Sequence, residues 1–224
     1  MEEFEKEPAE QQDTQDTQDT QDTQASLPAQ KPEGKLTKLQ QIFKEARDVL
    51  YILAAFMLVY TLCFRSVVVV GNSMFDTLAD GDRLLLVSNV LYQNPKHGDI
   101  VVASKDSFRG GECIIKRVIA TEGQTVDIDF TTGTVYVDGV ALDEPYLYSG
   151  TYRQEGVKFP LTVDQGCVFV MGDNRMDSKD SRSPEIGLID EREILGKVIL
   201  LLLPGNGSPD HPMDFDLGRI GVVE

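Results

Sequence analysis

The residues best able to do chemistry begin with Ser73. It stands in Gly71-Asn72-Ser73-Met74-Phe75-Asp76-Thr77-Leu78, a turn sequence that follows the β-branched run Val67 to Val70. A serine close to a glycine, at the end of a strand, presents its hydroxyl at an open edge. That hydroxyl is almost wholly protonated at neutral pH and is a weak nucleophile until a neighbouring base takes its proton. Histidine is the commonest such base, and the chain has only His97 and His211. His97 lies in the turn-like Asn94-Pro95-Lys96-His97-Gly98-Asp99, and His211 between Asp210 and Pro212 in a polar tail. Neither is placed like a triad member, so the base is sought elsewhere.

Glu112 to Ala120 offers one. It is an apolar, strand-like run that carries Lys116 and Arg117 inside it. A lysine flanked by Ile115 and Val118 can be pressed into an apolar site, where desolvation disfavours the ammonium and lowers its pKa. The neutral amine can then accept a serine proton. On its own, this stretch reads first as a half-exposed strand whose Lys116 and Arg117 are solvated. A third stretch shifts the balance. Gly172-Asp173-Asn174-Arg175-Met176-Asp177-Ser178-Lys179-Asp180-Ser181-Arg182 follows the apolar run Cys167 to Met171 and supplies hydroxyls and carboxylates able to orient an amine and a guanidinium.

The three stretches, in this order, resemble bacterial type I signal peptidases in their short, Gram-positive-like form. These are membrane-bound Ser/Lys proteases that remove signal peptides from exported preproteins. The resemblance covers roughly residues 67–203. It implies a mainly β fold: a single N-terminal transmembrane helix followed by an extracytoplasmic β-rich Ser/Lys protease domain. It implies Ser73 as nucleophile, Lys116 as general base, Ser178 as the hydroxyl that orients the amine, and Asp180 with Arg182 as a supporting ion pair. Asp173, Asn174 and Arg175 are expected to hold the loop shape. The peptide is expected to add as an extended strand to open edges near Val67–Val70 and Cys113–Lys116. Small pockets lined by Val70, Met74, Leu78 and Ile115 then admit small residues, giving cleavage after Ala-X-Ala-like sequences. The family's oxyanion donor is expected at the Ser73 backbone N–H.

Two positions depart from the family pattern. Gly71 stands where many members have a hydroxyl that assists the oxyanion, and Asp76 where they usually have proline. Asp76 gives up a rigid φ and adds a charge three residues from the nucleophile, which is expected to loosen the turn or raise the lysine pKa. These departures leave two alternatives: a peptidase dedicated to one substrate, and a non-catalytic membrane-anchored relative of the fold. The Ser/Lys autoproteases of the SOS-response repressors share the dyad but have no membrane anchor.

The elements that must position these residues follow from composition and periodicity. Residues 1–30 hold nine acids and one lysine, so this tail contributes −8 of the net −16. The remainder is only mildly acidic, which argues against a nucleic-acid partner. No HExxH-type pattern is present and the histidines lie 114 residues apart, so no metal site is expected, and the family implies no cofactor. Cys113 and Cys167 fall in apolar strand-like runs and are expected as two buried thiols, with Cys63 in the hydrophobic segment.

Residues 1–34, with Gln-Asp-Thr repeated four times, read as a disordered acidic cytoplasmic tail. Residues 35–48 read as a basic juxtamembrane segment, and 49–65 as the transmembrane helix. The sixteen uncharged residues from Val49 to Phe64 span about 24 Å as helix, short of a ~30 Å hydrocarbon core. Five Lys/Arg over residues 31–48 place the N-terminus in the cytoplasm by the positive-inside rule. Residues 66–224 are then the extracytoplasmic catalytic domain, with a small β extension at about 126–165. Strands are expected at 67–70, 83–87, 99–103, 114–120, 125–129, 134–137, 167–171 and 194–203, and the chain beyond Pro204 as a surface tail or edge. The implied partners are the signal peptides of exported preproteins and the lipid bilayer; the implied location is the cell membrane, single-pass.

Overall fold

The computed structural model describes residues 37–205 and 217–223. The acidic tail over 1–34 and His211 lie outside the described residues. The chain divides into two compact units, residues 1–46 and 47–224. The described part of the first is the opening of one helix.

That helix, α1, runs from Lys38 to Cys63. Thr37 caps it reciprocally: the Gln40 N–H donates to Thr37 Oγ1 at 3.5 Å and the Thr37 N–H donates to Gln40 Oε1 at 3.0 Å. None of its residues is buried, and it is long and apolar enough to cross a membrane. The helix begins before the 49–65 expected for the span and ends two residues short of its far limit. Leu39, Ile42 and Phe43 carry the helical period back into the basic segment, so the helix has 26 residues and a length of about 39 Å. At the other end Phe64 and Arg65 pair with a strand instead of extending the helix.

The chain from Phe64 onward is β. The larger sheet contains β1 (Phe64–Val68), β2 (Arg83–Ser88), β3 (Ile100–Ser104), β4 (Cys113–Thr121), β9 (Cys167–Met171), β10 (Ile189–Asp190), β11 (Ile194–Leu203) and β12 (Gly221–Val222). A smaller sheet contains β5 (Thr125–Asp129), β6 (Thr134–Val137), β7 (Val140–Ala141) and β8 (Leu161–Thr162). The larger sheet has the order β1-β2-β11-β3-β4-β9-β10, with β12 beside β11; the smaller is β7-β6-β5-β8. Every ladder in both is antiparallel. The strands of the smaller sheet fall between Thr125 and Thr162, and the Asp138-Gly139 turn joins β6 to β7. Of the tail and the edge expected beyond Pro204, Gly221–Val222 forms an edge: β12 pairs with Leu200 and Leu201 of β11.

Period-two alternation builds the core. In β2, Leu84, Leu86 and Ser88 point inward, and the two leucines pack with Val69, Met74, Leu78 and Val198. In β4, Ile114 and Val118 enter a cluster with Val101 and Val170, so Lys116 faces the same side. Phe169 and Met171 of β9 meet Val126 and Val135 from the smaller sheet. The ladder between β4 and β9 begins only at Arg117↔Met171. Residues 113–116 therefore have β3 on one side and no strand on the other, among the described residues. β1, at the end of the sheet, also keeps an unpaired edge.

Candidate active site

The turn after β1 is tied down on every side of Ser73. Met74, 1% exposed, drops into the core, and the Leu78 N–H donates to Met74 O at 2.8 Å. The Gly71 N–H donates to Asp80 Oδ1 at 2.7 Å. From the other direction the Asn174 N–H donates to Ser73 O at 3.0 Å, and Asn174 Nδ2 donates to Asn72 O at 3.2 Å. The loop comes this close because Gly172 has no side chain. A Cβ there would stand 2.2 Å from Ser178 Oγ and 2.4 Å from Ser73 O.

β4 brings Lys116 to the turn. Its Nζ lies 2.7 Å from Ser73 Oγ and donates to Ile115 O at 2.9 Å. The side chain is buried, 4% exposed. Burial lowers its pKa to about 8; the charges of Asp180 and Asp173 pull against that shift, and Arg182 adds to it. Asp76 is exposed and is not among the charges that move it, so the expected influence of Asp76 on the lysine is not seen. The solvated reading of Lys116 and Arg117 fails for both residues. Adjacent strand residues point to opposite faces, and each of these two is covered on its own face.

Arg117 meets Asp173 through two parallel bonds, Nε to Oδ1 at 2.9 Å and Nη2 to Oδ2 at 2.8 Å. Its guanidinium lies 3.9 Å from the ring centroid of Tyr146, a cation–π stack. Thr77, four residues after Ser73, donates to Asp173 Oδ2 at 2.6 Å. Arg175 donates through Nη1 to Glu144 Oε2 at 3.1 Å and to Thr151 Oγ1 at 2.6 Å. Glu144, Thr77 and Tyr146 carried no signal in the sequence, because their partners lie on distant segments.

Asp180 and Arg182 are both 0% exposed. Arg182 grips the carboxylate with Nε to Oδ1 and Nη2 to Oδ2, each 2.8 Å. Asp180 Oδ2 also accepts from the Gly172 N–H at 3.1 Å and the Ser178 hydroxyl at 2.8 Å. Burial pushes the Asp180 carboxyl up, but the Arg182 hydrogen bond and charge, with the Gly172 and Ser178 donors, outweigh it and hold it below the usual range. Ser178 is thus buried near Ser73, and its hydroxyl donates to Asp180. The Lys116 amine bonds Ser73 Oγ and Ile115 O and makes no hydrogen bond with Ser178 among the described residues, while Arg182 fixes Asp180 and Asp180 fixes Ser178.

A cleft of about 530 Å³ runs beside Ser73 and Lys116, between Val67–Met74 and the open edge of β4. Val70, Met74 and Ile115 line it as expected. Leu78 does not: it is 0% exposed and packs in the core, because the turn closed by its N–H points its side chain inward. Cys113 corrects another expectation. It is exposed on the cleft wall, Cys167 is partly covered, and both are free. The Ser73 N–H has no acceptor among the described residues. No cluster of three or more His, Cys, Asp or Glu suited to a metal occurs among them either.

A family model described as signal peptidase, peptidase S26, matches residues 42–203. The chain is similar to a signal peptidase I of Bacillus licheniformis, 34% identical over 78% of this chain and 95% of the relative. It is also 36% identical to signal peptidase I T of Bacillus subtilis, over 67% of this chain and 79% of that one. A solved signal peptidase I from Enterococcus faecalis V583 is 30% identical and covers 46% of this chain and 96% of its own, with a TM-score of 0.39.

Proposed function

Because the chain belongs to the signal peptidase family, peptidase S26, we propose that it works through Ser73 and Lys116. It is a serine endopeptidase that cleaves signal peptides from preproteins. The observation that carries the Ser/Lys assignment is the 2.7 Å approach of Lys116 Nζ to Ser73 Oγ at the side of an open cleft. Ser73 Oγ attacks the scissile carbonyl as the neutral Lys116 amine takes its proton. The oxyanion is met by the Ser73 N–H. Lys116 returns the proton to the departing amine, and water activated by the same amine releases the signal peptide from the acyl-enzyme.

The preprotein lies as an extended strand between two unpaired edges, β1 with the turn after it and residues 113–116 of β4. Val70, Met74 and Ile115 line the space for its side chains and favour small residues before the scissile bond, as in Ala-X-Ala. The test is a purified preprotein with such a junction. The wild-type chain yields the mature protein cut after the second alanine, and Ser73→Ala yields none while keeping the wild-type unfolding curve. Cleavage by Ser73→Ala at the wild-type rate would overturn the assignment.

We further propose that α1 spans the membrane with its N-terminus in the cytoplasm and the β domain outside. The support is the five Lys/Arg over residues 31–48. Protease added outside intact cells is expected to digest the chain beyond Arg65 and spare residues 1–34. The opposite pattern reverses the orientation.

A further inference from the structure

Asp82 is a carboxylate with no exposure at all, six residues after Asp76 at the start of β2. A buried carboxylate is stable only when donors surround it. Asp82 has several, and they come from both ends of the domain. The Ala79 N–H donates to Oδ2 at 2.8 Å and the Gly205 N–H to Oδ1 at 2.7 Å. Arg219 supplies the counter-charge, Nη2 to Oδ2 at 2.8 Å and Nη1 to Oδ1 at 3.2 Å. The same Nη2 reaches Thr77 O at 3.4 Å.

These contacts bracket the nucleophile. The Val69 N–H donates to Asp82 O at 2.8 Å and the Gly81 N–H to Val69 O at 3.0 Å, which fixes the chain entering the turn. Thr77, whose carbonyl Arg219 touches, sends its hydroxyl to Asp173, and Asp173 clamps Arg117 beside the general base. Arg219 is therefore two links from Val69, which leads into the turn, and three from the strand that carries Lys116. Its own segment is held in place: β12 pairs with Leu200 and Leu201, and Val223 packs on the core cluster that contains Met74 and Leu78. Gly205 presses on the same loop so closely that a Cβ would stand 2.3 Å from Asp80 O. Gly205, Arg219 and Val223 lie beyond residues 42–203, the part matched by the family, and the residues they hold lie within it.

We infer that Leu217–Val223 is a working part of the catalytic domain and that Arg219 is a positioning residue, bridging Asp82 and the Thr77 carbonyl so that Ser73 is held opposite Lys116. The inference rests on the Ser73/Lys116 reading. Two donors on one planar guanidinium reach both acceptors, which the single ammonium of a lysine cannot do in the same geometry. The effect falls on the alignment of the dyad and not on the cleft walls, so it appears in kcat and not in KM.

The experiment compares full-length wild type, Arg219→Ala, Arg219→Lys and Ser73→Ala on one preprotein, at a temperature well below each unfolding midpoint. Arg219→Ala is expected to lose about tenfold or more in kcat with KM within twofold, since ~1 Å of misplacement at a reacting pair costs up to about 100-fold. Arg219→Lys keeps a charge against buried Asp82, folds, and shows the same loss. Guanidinium ion at low millimolar concentration restores kcat in Arg219→Ala, and urea at the same concentration does not. Wild-type kcat in folded Arg219→Ala or in Arg219→Lys overturns the inference, as does a loss confined to KM or one that guanidinium does not restore. If Arg219→Ala does not fold, Arg219→Lys is judged by the same split between kcat and KM. Residual wild-type activity in Ser73→Ala would instead sink the dyad reading on which the inference depends.

Discussion

Replacing Lys116 by methionine will abolish preprotein cleavage and at the same time make the folded domain more stable at neutral pH. The loss of activity is expected to be ~10³-fold or more, within the range a positioned general base contributes. Ser73→Ala combined with Lys116→Met should be no worse than either alone, because the two act as one unit. Lys116→Arg will be equally inactive, since a guanidinium stays protonated and cannot accept the serine proton. In the wild type, kcat/KM should rise about tenfold per pH unit below the lysine pKa of about 8 and level off above it. A flat profile from pH 6 to 9, or an active Lys116→Arg enzyme, would falsify the Ser/Lys mechanism.

The stability half of that prediction follows from the same burial. Above pH 10.5 the amine is neutral whether the chain is folded or not, and Lys116 costs nothing. Between about 8 and 10.5 the unfolded chain binds a proton that the folded chain refuses, so stability falls as pH falls. Below about 8 the cost is complete, roughly 3 kcal/mol at 1.36 kcal/mol per pKa unit. Methionine fills a similar channel without that cost. Its Tm should exceed wild type by roughly 5–10 °C at pH 7, and the gap should close above pH 10.5. A Tm gain that does not change with pH would show that packing, and not the charge, is responsible.

The second large effect is expected at the buried ion pair. Asp180→Ala leaves Arg182, which is 0% exposed, without its carboxylate, and a stranded buried charge costs about 3–5 kcal/mol. The midpoint of denaturant unfolding should drop accordingly. Asp180→Leu with Arg182→Met removes both charges and should recover most of that stability. Activity should not recover, because Ser178 and the Gly172 N–H have lost their acceptor. The pair also governs behaviour in acid. The folded-state pKa of Asp180 is depressed, so its contribution is present above the unfolded value of ~3.9 and disappears as pH falls through the folded value. Wild type should therefore lose stability below pH 4 more steeply than the double variant. An Asp180→Ala chain that unfolds at the wild-type midpoint would show that Arg182 finds compensation elsewhere.

The strands and the helix are legible because each depends on local order along the chain. β5, β6, β9 and β11 take the expected limits, since alternation and turn residues specify a strand within a few positions. Ser73 and Lys116 stand out in the sequence only through the ordered set of Ser-Met turn, lysine strand and Gly-Asp-Asn-Arg loop that resembles the signal peptidases; on its own the lysine stretch reads as a solvated strand. The helical spacing of Leu39, Ile42 and Phe43 among basic residues is legible too, and α1 begins at Lys38 in keeping with it. Leu78 was assigned to the cleft because its distance from Ser73 along the chain does not reveal which way the turn points it.

What only the tertiary structure decided is which charges are buried and with whom. Arg175 meets Glu144 across 31 residues, Arg117 meets Asp173 across 56, and Arg219 meets Asp82 across 137. In sequence each is an ordinary polar residue, and its burial depends on which strand or loop brings the opposite charge. Cys113 is exposed for a similar reason: β9 begins to pair with β4 only at Arg117, which leaves the preceding residues as an open edge. By itself the sequence determined the order of the elements and the anchor-like helix, and its resemblance to a family pointed to Ser73 and Lys116. The 2.7 Å approach of those two side chains, and the network that holds them, came only with the antiparallel packing, because hydrogen bonds and buried ion pairs are made between segments that the chain order keeps far apart.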